Sequence, residues 1–228
     1  MKPLIGIITR PELSTGKYPM MGIYKSVINA IVLSGGIPVG IIPPEEQFYF
    51  NKTLGQTSLM TNESLSDMKT IINQCQGIIC QGGDDFYDYD LKAIEYCHNN
   101  DIPLLGICLG MQTMGVLFGG KLHKLPNEEH DNQTLHTVYL KDNSKLYDIL
   151  KEDVLKVNSR HRESLLTTNL DIVGSSEDGV IEAIEDKTKK FFIGVQWHPE
   201  TMIYDDELMK KLFGEFINTC KEVEKNGC

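Results

Sequence analysis

Residues 103–112 read Pro-Leu-Leu-Gly-Ile-Cys-Leu-Gly-Met-Gln, a stretch that indicates a strand turning at once into a helix. The apolar run Pro103–Ile107 predicts a buried strand, and Leu109–Phe118 predicts the helix that follows it. Glycines on both sides of Cys108 let the chain turn sharply without side-chain clashes. This Gly-x-Cys-x-Gly arrangement is the nucleophile-elbow pattern with Cys in place of Ser.

Earlier in the chain, short apolar runs alternate with helical patterns in the same way. Strands are predicted at Leu4–Thr9, Ile37–Pro43 and Gly77–Cys80, and helices at Tyr18–Leu33, Ser64–Gln74 and Leu91–Asn99. Together with residues 103–118, these segments make four successive strand–helix units. Such units predict a parallel sheet with right-handed crossovers and helices on both faces.

The second half of the chain consists of shorter strands with tight connections. They are predicted at Thr134–Leu140, Val154–Asn158, Asp171–Ser175, Val180–Ile184 and Phe191–Gln196, before a closing amphipathic helix at Asp205–Cys220. We therefore expect an α/β fold whose mostly parallel sheet gains antiparallel strands in the second half. We predict a single domain over residues 1–228, a length that is usual for doubly wound α/β domains.

The composition limits the kinds of partner. The 22 Lys and Arg against 32 Asp and Glu give a net charge of −10, so neither nucleic acid nor an anionic membrane is expected as a partner. No apolar stretch reaches the roughly 18 residues of a membrane span. The N-terminus does not resemble a signal peptide. We predict a cytoplasmic protein whose six Cys are reduced thiols, and the absence of C-x-x-C gives no support for a metal site.

Cys108 is the candidate nucleophile. The predicted turn places it at the carboxyl end of the sheet and at a helix N-terminus, where the helix dipole stabilises negative charge. The backbone N–H of Leu109 could stabilise an oxyanion formed there. The alternative is a buried Cys on an ordinary strand-to-helix turn. The other five Cys lie in or beside predicted helices and strands, and we interpret them as structural.

His198 is the strongest candidate for the base. Residues 194–200 read Gly-Val-Gln-Trp-His-Pro-Glu, a strand that Pro199 ends at the edge of the sheet where the elbow opens. Glu200 can accept a hydrogen bond from the imidazole and so set its tautomer. Taken alone, such a His is more often a surface residue at a strand end. Its combination with the Cys elbow favours a catalytic pair.

Two further segments are expected near the same edge. Gly82 and Gly83 form a turn with open backbone N–H groups, and Gly83 N–H could be a second oxyanion donor. Alternatively this is a tight turn capped by Asp84 or Asp85, and both interpretations can hold together. His161 lies in a polar segment after a strand, which predicts either a loop over the site or a solvated turn. No phosphate-binding Gly-rich motif occurs.

Residues 106–112 and 194–200 together resemble the class I glutamine amidotransferase-like superfamily. In this chain, as in the superfamily, a Cys elbow is followed about 90 residues later by His-x-Glu. More narrowly, the chain is similar to the γ-glutamyl-γ-aminobutyrate hydrolase group, peptidase family C26. The supporting segments are Gly35–Val39, Gly119–Leu122, Val157–His161 and Asp178–Ile184.

The resemblance implies a flavodoxin-like fold and a Cys–His–Glu triad. Cys108 would be the nucleophile and His198 the base and acid, while Glu200 would orient the imidazole. Gly83 and Leu109 would supply the N–H groups of the oxyanion hole.

The resemblance also implies the substrate class. A γ-glutamyl amide would be hydrolysed through a thioester to glutamate and an amine, with no metal or other cofactor. Gln112 is expected to hold the γ-glutamyl group, and Ser159 and His161, in a matching segment, are expected to bind substrate. The expected partner is thus a small molecule, and the formation of a homodimer stays open.

Two departures from the hydrolase group leave alternatives open. The hydrolase group usually has Arg at the position of Leu109, whereas glutaminase subunits resemble this chain in having Leu there. The loop after Gly83 is also shorter than in the hydrolase group. One alternative is therefore a glutaminase subunit that delivers ammonia to a synthase partner. The second is a non-catalytic module that binds γ-glutamyl compounds.

Overall fold

The computed structural model describes residues 1–44, 59–125 and 135–223. Its strands, in chain order, are β1 (Leu4–Ile8), β2 (Arg10–Leu13), β3 (Pro19–Gly22), β4 (Ile37–Ile41), β5 (Gly77–Cys80), β6 (Leu104–Ile107), β7 (Lys121–Lys124), β8 (Leu135–Leu140), β9 (Val154–Asn158), β10 (Glu163–Thr167), β11 (Asp171–Ser176), β12 (Ile181–Glu185) and β13 (Phe192–Val195). Its helices are α1 (Lys25–Leu33), α2 (Asn62–Ile72), α3 (Asp88–Asn99), α4 (Leu109–Leu117), α5 (Lys145–Leu150), α6 (Pro199–Met202) and α7 (Glu207–Lys221).

The centre of the protein is a nine-stranded sheet in the order β4-β1-β5-β6-β13-β12-β11-β8-β9. The first five strands run parallel, and their order along the chain is the flavodoxin-like 2-1-3-4-5. The strands from β12 to β9 join antiparallel beyond β13. This arrangement confirms the expected α/β fold with antiparallel strands added in the second half.

Helices cover both faces of the sheet. Successive side chains of a strand point to opposite faces, and β5 is buried throughout. Ile79 belongs to the hydrophobic cluster that includes Phe213 of α7, whereas Ile78 belongs to the cluster that includes Met68 of α2. The two clusters are the two cores expected of a doubly wound sheet.

The helix predicted at Tyr18–Leu33 is shorter than expected and begins at Lys25. Pro19–Gly22 instead forms β3, which pairs antiparallel with β2 in a hairpin. Pro19 lacks a backbone N–H, and Gly22 is a poor helix former, so both residues weigh against a helix at this position.

A second small sheet was not predicted. Its two strands, β7 and β10, pair antiparallel beside α4. The pairing joins residues about 40 positions apart, and neither strand has an apolar run of its own. This sheet brings Glu163, the first residue of β10, close to Gln112 on α4.

The carboxyl ends of three neighbouring parallel strands meet at one edge of the sheet. Cys80 of β5 is paired with Gly106 of β6, and Ile107 of β6 is paired with Val195 of β13. The turn after β5, the elbow after β6 and the segment after β13 therefore open at the same place. The predicted triad and oxyanion residues come from these three segments, whereas the predicted substrate-binding residues Ser159 and His161 follow β9.

Candidate active site

Cys108 lies at the turn between β6 and α4 in an unusual backbone conformation. Its φ is 52° and its ψ is −105°, values that residues with a Cβ rarely adopt. A Cβ at Gly110 would overlap the carbonyl oxygen of Cys80, and one at Gly106 would come within 2.9 Å of the Gly110 backbone. Only glycine allows β5, β6 and α4 to pack this closely. The strained turn expected from the Gly-x-Cys-x-Gly pattern is therefore present.

His198 follows β13 and faces the sulfur of Cys108. Its ring is hydrogen-bonded to Cys108, and Nδ1 lies 2.9 Å from Oε1 of Glu200. With Nδ1–H donated to the carboxylate, Nε2 is the ring nitrogen available to the sulfur. Burial lowers the pKa of His198, but the hydrogen bonds with Cys108 and Glu200 outweigh it and raise the pKa to about 10. The structure thus brings Cys108, His198 and Glu200 together in hydrogen-bonded sequence.

The Gly82–Gly83 turn borders this group. A Cβ at Gly82 would lie 3.1 Å from His198 Cε1 and 3.8 Å from Cys108 Cβ, and one at Gly83 would lie 3.1 Å from the Leu109 side chain. Neither Gly83 N–H nor Leu109 N–H donates a hydrogen bond to another described residue. Both backbone N–H groups are therefore available as hydrogen-bond donors.

Gln112 lies one helical turn after Cys108 and is linked to it through Gln196. Gln112 Nε2 donates to the carbonyl of Glu163 at 2.8 Å and to Gln196 Oε1 at 3.2 Å. Gln196 Nε2 in turn lies 3.5 Å from Cys108 Sγ. These contacts link Gln112 to the sulfur through Gln196 and occupy its amide nitrogen.

Ser159 and His161 are buried rather than open to the site. The interpretation of His161 as part of a solvated turn is wrong, because its side chain is 1% exposed. Its Nδ1 lies 3.1 Å from the carbonyl of Glu163, and its Nε2 lies 3.6 Å from Glu182 Oε1. His136, from β8, lies 3.2 Å from the same carboxylate oxygen. Burial raises the pKa of Glu182, but the two imidazoles outweigh burial and leave it below its ordinary value.

The other His and Cys residues have structural surroundings where they are described. His98 is paired with Asp186 at 2.8 Å and packs edge-on against Phe118 and Phe192. The remaining described thiols are all buried, at Cys75, Cys80, Cys97 and Cys220. His130 and Cys228 lie outside the described residues.

Several residues around the site were not predicted to take part. Asn158 holds the backbone of His198, and Gln81 joins the turn after β5 to three other segments. Gln196 touches the sulfur. The sequence feature that could have identified these residues is a polar side chain inside a buried strand or directly after one, since such a group needs hydrogen-bond partners.

Within the described part of the chain, no helix has both the length and the apolar character needed to cross a bilayer. Over the same ranges, no three His, Cys, Asp or Glu side chains are grouped so as to hold a metal ion. A surface cavity of about 510 Å³ lies between α5 and α7, lined in part by Lys145, Phe191 and Lys211. None of the residues around Cys108 lines it.

The flavodoxin-like sheet, the Cys elbow and the adjoining His-x-Glu segment define a protein of the class I glutamine amidotransferase-like superfamily. The Peptidase C26 family model matches residues 3–200 of the chain. The chain belongs to this family, which makes it a cysteine-type hydrolase of C–N bonds.

Relatives agree with this membership. A protein of Schizosaccharomyces pombe, named provisionally as a glutamine amidotransferase, is 31% identical over 229 residues, covering 85% of this chain and 81% of its own. Anthranilate synthase component 2 of Cyanophora paradoxa is 32% identical over 163 residues, covering 68% of this chain and 80% of its own. The glutaminase domain of Trypanosoma brucei CTPS, solved with bound acivicin, has a TM-score of 0.67 at 18% identity, over 98% of this chain and 95% of that one. The last similarity supports the fold.

Proposed function

We propose that the protein hydrolyses γ-glutamyl amide bonds through a γ-glutamyl thioester on Cys108, releasing glutamate and an amine. One observation supports this proposal above the others. Cys108 is held in a strained turn at a helix N-terminus, in contact with an imidazole that is itself bonded to a buried carboxylate. This geometry supports the proposal that Cys108 is an activated nucleophile, His198 its base and Glu200 the group that orients the base.

In the first step, the sulfur of Cys108 attacks the γ-carbonyl carbon and the carbonyl oxygen becomes an oxyanion. With its pKa raised to about 10, His198 is an imidazolium at neutral pH and can stabilise negative charge that forms on the sulfur. The N–H groups of Gly83 and Leu109 are the proposed oxyanion donors. Each such donor lowers the barrier by about 3 kcal/mol.

In the second step, the oxyanion collapses and the C–N bond breaks. His198 gives its proton to the departing nitrogen, so the amine leaves neutral and a thioester remains on Cys108. Water then attacks the thioester carbon while His198 takes up its proton. Collapse of the second oxyanion breaks the C–S bond, releases glutamate and restores the starting state. No metal or organic cofactor is part of these steps.

Gln112 is the residue we propose for contact with the γ-glutamyl group, because it lies one helical turn after Cys108, is linked to the sulfur through Gln196 and is almost fully buried. Its nitrogen is already occupied, so its amide oxygen is the atom available to a substrate donor. Ser159 and His161 are proposed to act on the same side of the site. Since both side chains are buried, their contribution is to the shape of the pocket wall.

Acidic groups stand on another side of the site. Burial raises the pKa of Tyr24, and the carboxylates of Glu12 and Asp84 raise it further. Cys108 also acts on Tyr24, which places this ring within electrostatic range of the sulfur. Leaving amines with and without a carboxylate therefore both belong in the test.

A glutaminase subunit that delivers ammonia to a synthase partner is the second candidate. Two observations favour it. Leu109 follows the nucleophile, and the chain is 32% identical to a protein named anthranilate synthase component 2. Such a subunit would perform the same chemistry on glutamine, with ammonia as the leaving amine.

Product analysis with the purified protein distinguishes these candidates. The panel is glutamine, γ-glutamylmethylamide and γ-glutamyl-γ-aminobutyrate, each run beside Cys108→Ala. Turnover of the substituted amides without any partner, lost in the variant, supports the stand-alone hydrolase. Turnover of glutamine alone supports the glutaminase subunit. Activity in Cys108→Ala above about one thousandth of the wild-type rate would exclude the nucleophile, and no turnover at all would favour a binding module.

A further inference from the structure

Arg10, the first residue of β2, places a buried guanidinium directly behind the Gly82–Gly83 turn. Only 3% of the residue is exposed. Nε donates to the carbonyl of Gly82 at 3.1 Å, and Nη2 donates to the carbonyl of Gln81 at 2.6 Å. Nη1 is paired with the carboxylate of Asp90, which is also buried. A single side chain therefore holds two successive carbonyl groups of the turn.

The Gly82 carbonyl and the Gly83 N–H belong to one peptide unit. The described peptide bonds are all trans, so C=O and N–H point in opposite directions within that unit. Because Arg10 holds the Gly82 oxygen on its own side, the Gly83 N–H points away from the guanidinium. On the other side of the turn, Gly82 faces Cys108 and His198, as the close approaches of its Cβ position show.

Nothing in the turn itself fixes this peptide. Gly82 and Gly83 have no side chains, and rotation of a peptide between two glycines meets little steric resistance. A Cβ at Gly83 would lie 3.0 Å from Arg10 Nε, so the Arg10 side chain fills the space behind it. The direction of the N–H is therefore set by the partner of the carbonyl, and that partner is Arg10.

Asp90 fixes the guanidinium from the first turn of α3. Burial lowers the pKa of Arg10, but Asp90 outweighs it and keeps the pKa above its ordinary value, so Arg10 remains a cation. A planar guanidinium can reach two carbonyl oxygens and a carboxylate at once. The ammonium of a Lys presents its donors from one atom and lacks this fork.

We propose that Arg10, held by Asp90, is a positioning residue that aims the Gly83 N–H at the oxyanion formed during attack by Cys108. This inference rests on the proposed acyl-transfer chemistry, although not on the identity of the amide that is cleaved. It applies equally to a γ-glutamyl hydrolase and to a glutaminase subunit.

The proposal can be tested with two reagents that both react with the Cys108 thiol. In p-nitrophenyl acetate, the sulfur adds to the carbonyl carbon, an oxyanion forms, and p-nitrophenolate leaves as the S-acetyl bond is completed. In iodoacetamide, the sulfur displaces iodide from a CH₂ carbon and no oxyanion forms. We expect Arg10→Met and Arg10→Lys to acylate roughly 100-fold more slowly than the wild type, since one oxyanion donor is lost. Alkylation by iodoacetamide should keep its wild-type rate.

The Lys variant decides the test if Arg10→Met fails to fold, because Lys retains the charge beside Asp90. Asp186→Asn is the matched control. It breaks the ion pair with His98 at the far end of α3, and it should leave the ratio of the two rates unchanged. Cys108→Ala supplies the background for both reagents.

Equal losses in both reactions, in folded Arg10 variants, would mean that Arg10 supports the site only generally. An unchanged acylation rate in Arg10→Lys would also overturn the positioning role. If the wild-type protein reacts with both reagents but cleaves no γ-glutamyl amide, the proposed function fails while this test still gives an answer. If Cys108 reacts with neither reagent, both proposals fail.

Discussion

The side-chain amide of Asn158 holds the backbone of His198 at both of its polar atoms. Asn158 Oδ1 accepts from the His198 N–H at 2.8 Å, and Asn158 Nδ2 donates to the His198 carbonyl at 3.1 Å. Asn158 ends β9, an edge strand of the sheet, whereas His198 follows β13 in its middle. The position of the imidazole is thus fixed by a part of the chain that is 40 residues away.

Asn158→Leu should therefore lower kcat more than a simple loss of stability would explain. The Leu side chain has a similar size but leaves both backbone groups of His198 without this partner. We expect kcat to fall about 100-fold because the imidazole is displaced, and the free energy of unfolding to fall by about 1–3 kcal/mol. Asn158→Asp, which keeps the acceptor for the N–H, should lose less. Wild-type kcat in folded Asn158→Leu would contradict the positioning role.

The pH dependence of activity should reveal the pairing between His198 and Glu200. The pKa of His198 lies at about 10, because its hydrogen bonds with Cys108 and Glu200 outweigh burial. The proton for the leaving amine is then available up to about pH 10. Glu200→Gln removes the carboxylate charge, so the alkaline limb of kcat/KM should move down by roughly one unit or more. An alkaline limb at the same pH in both proteins would contradict the assignment.

The raised pKa of His198 also determines whether the free energy of unfolding rises or falls with pH. A group whose pKa is raised in the folded state stabilises it fully below the unfolded pKa of about 6.5. That contribution is lost as the pH rises through about 10. The free energy of unfolding, measured in urea, should therefore decline between these two pH values. The decline should be smaller in Glu200→Gln than in the wild type.

Relief of backbone strain at Cys108 should be measurable as stability. Its φ of 52° suits Gly better than any residue with a Cβ. Strain of this kind costs about 1–3 kcal/mol, while Gly loses about 0.5–1 kcal/mol through the entropy of the unfolded chain. Cys108→Gly should thus be about 1 kcal/mol more stable than Cys108→Ala, and both should be inactive. Denaturation of the two variants under identical conditions checks this, and greater stability in Cys108→Ala would rule out stored strain.

Much of the nine-stranded sheet could be predicted because its strands have local signals. Gly77–Cys80 and Val154–Asn158 form strands with the predicted bounds, since each is a run of strand-forming residues flanked by turns. The β2–β3 hairpin could not be predicted from the spacing of apolar residues, which continues into α1. The pairing of β7 with β10 depends on contacts between distant segments, which no local pattern records.

The residues of the candidate site also fall into those that local motifs predict and those that they do not. Cys108, His198 and Glu200 lie in short motifs whose residue types indicate their chemistry. Arg10 and Asn158 reach the site only because separate strands end at one edge of the sheet. The contacts by which they hold the Gly82–Gly83 turn and His198 are with backbone atoms, which are the same for every sequence, so no pair of residue types indicates them.

The closeness of α4 to β5 leads to a paired test with the same substitution at two glycines. A Cβ at Gly110 would overlap the carbonyl oxygen of Cys80, a backbone atom that cannot move without shifting the strand. Gly110→Ala should therefore destabilise the protein by about 3 kcal/mol or more and abolish activity through displacement of the elbow.

Gly214 of α7 is the control, because a Cβ there would have no heavy atom within 4 Å. Gly214→Ala should raise the free energy of unfolding by about 0.5–1 kcal/mol, the usual difference between these residues in a helix. That gain corresponds to a Tm higher by about 1–4 °C for a chain of this size. Activity should be unchanged, since Gly214 lines the cavity between α5 and α7, to which the residues around Cys108 do not contribute. If Gly110→Ala were as stable and active as Gly214→Ala, the close packing of α4 on β5 would not be what holds the elbow.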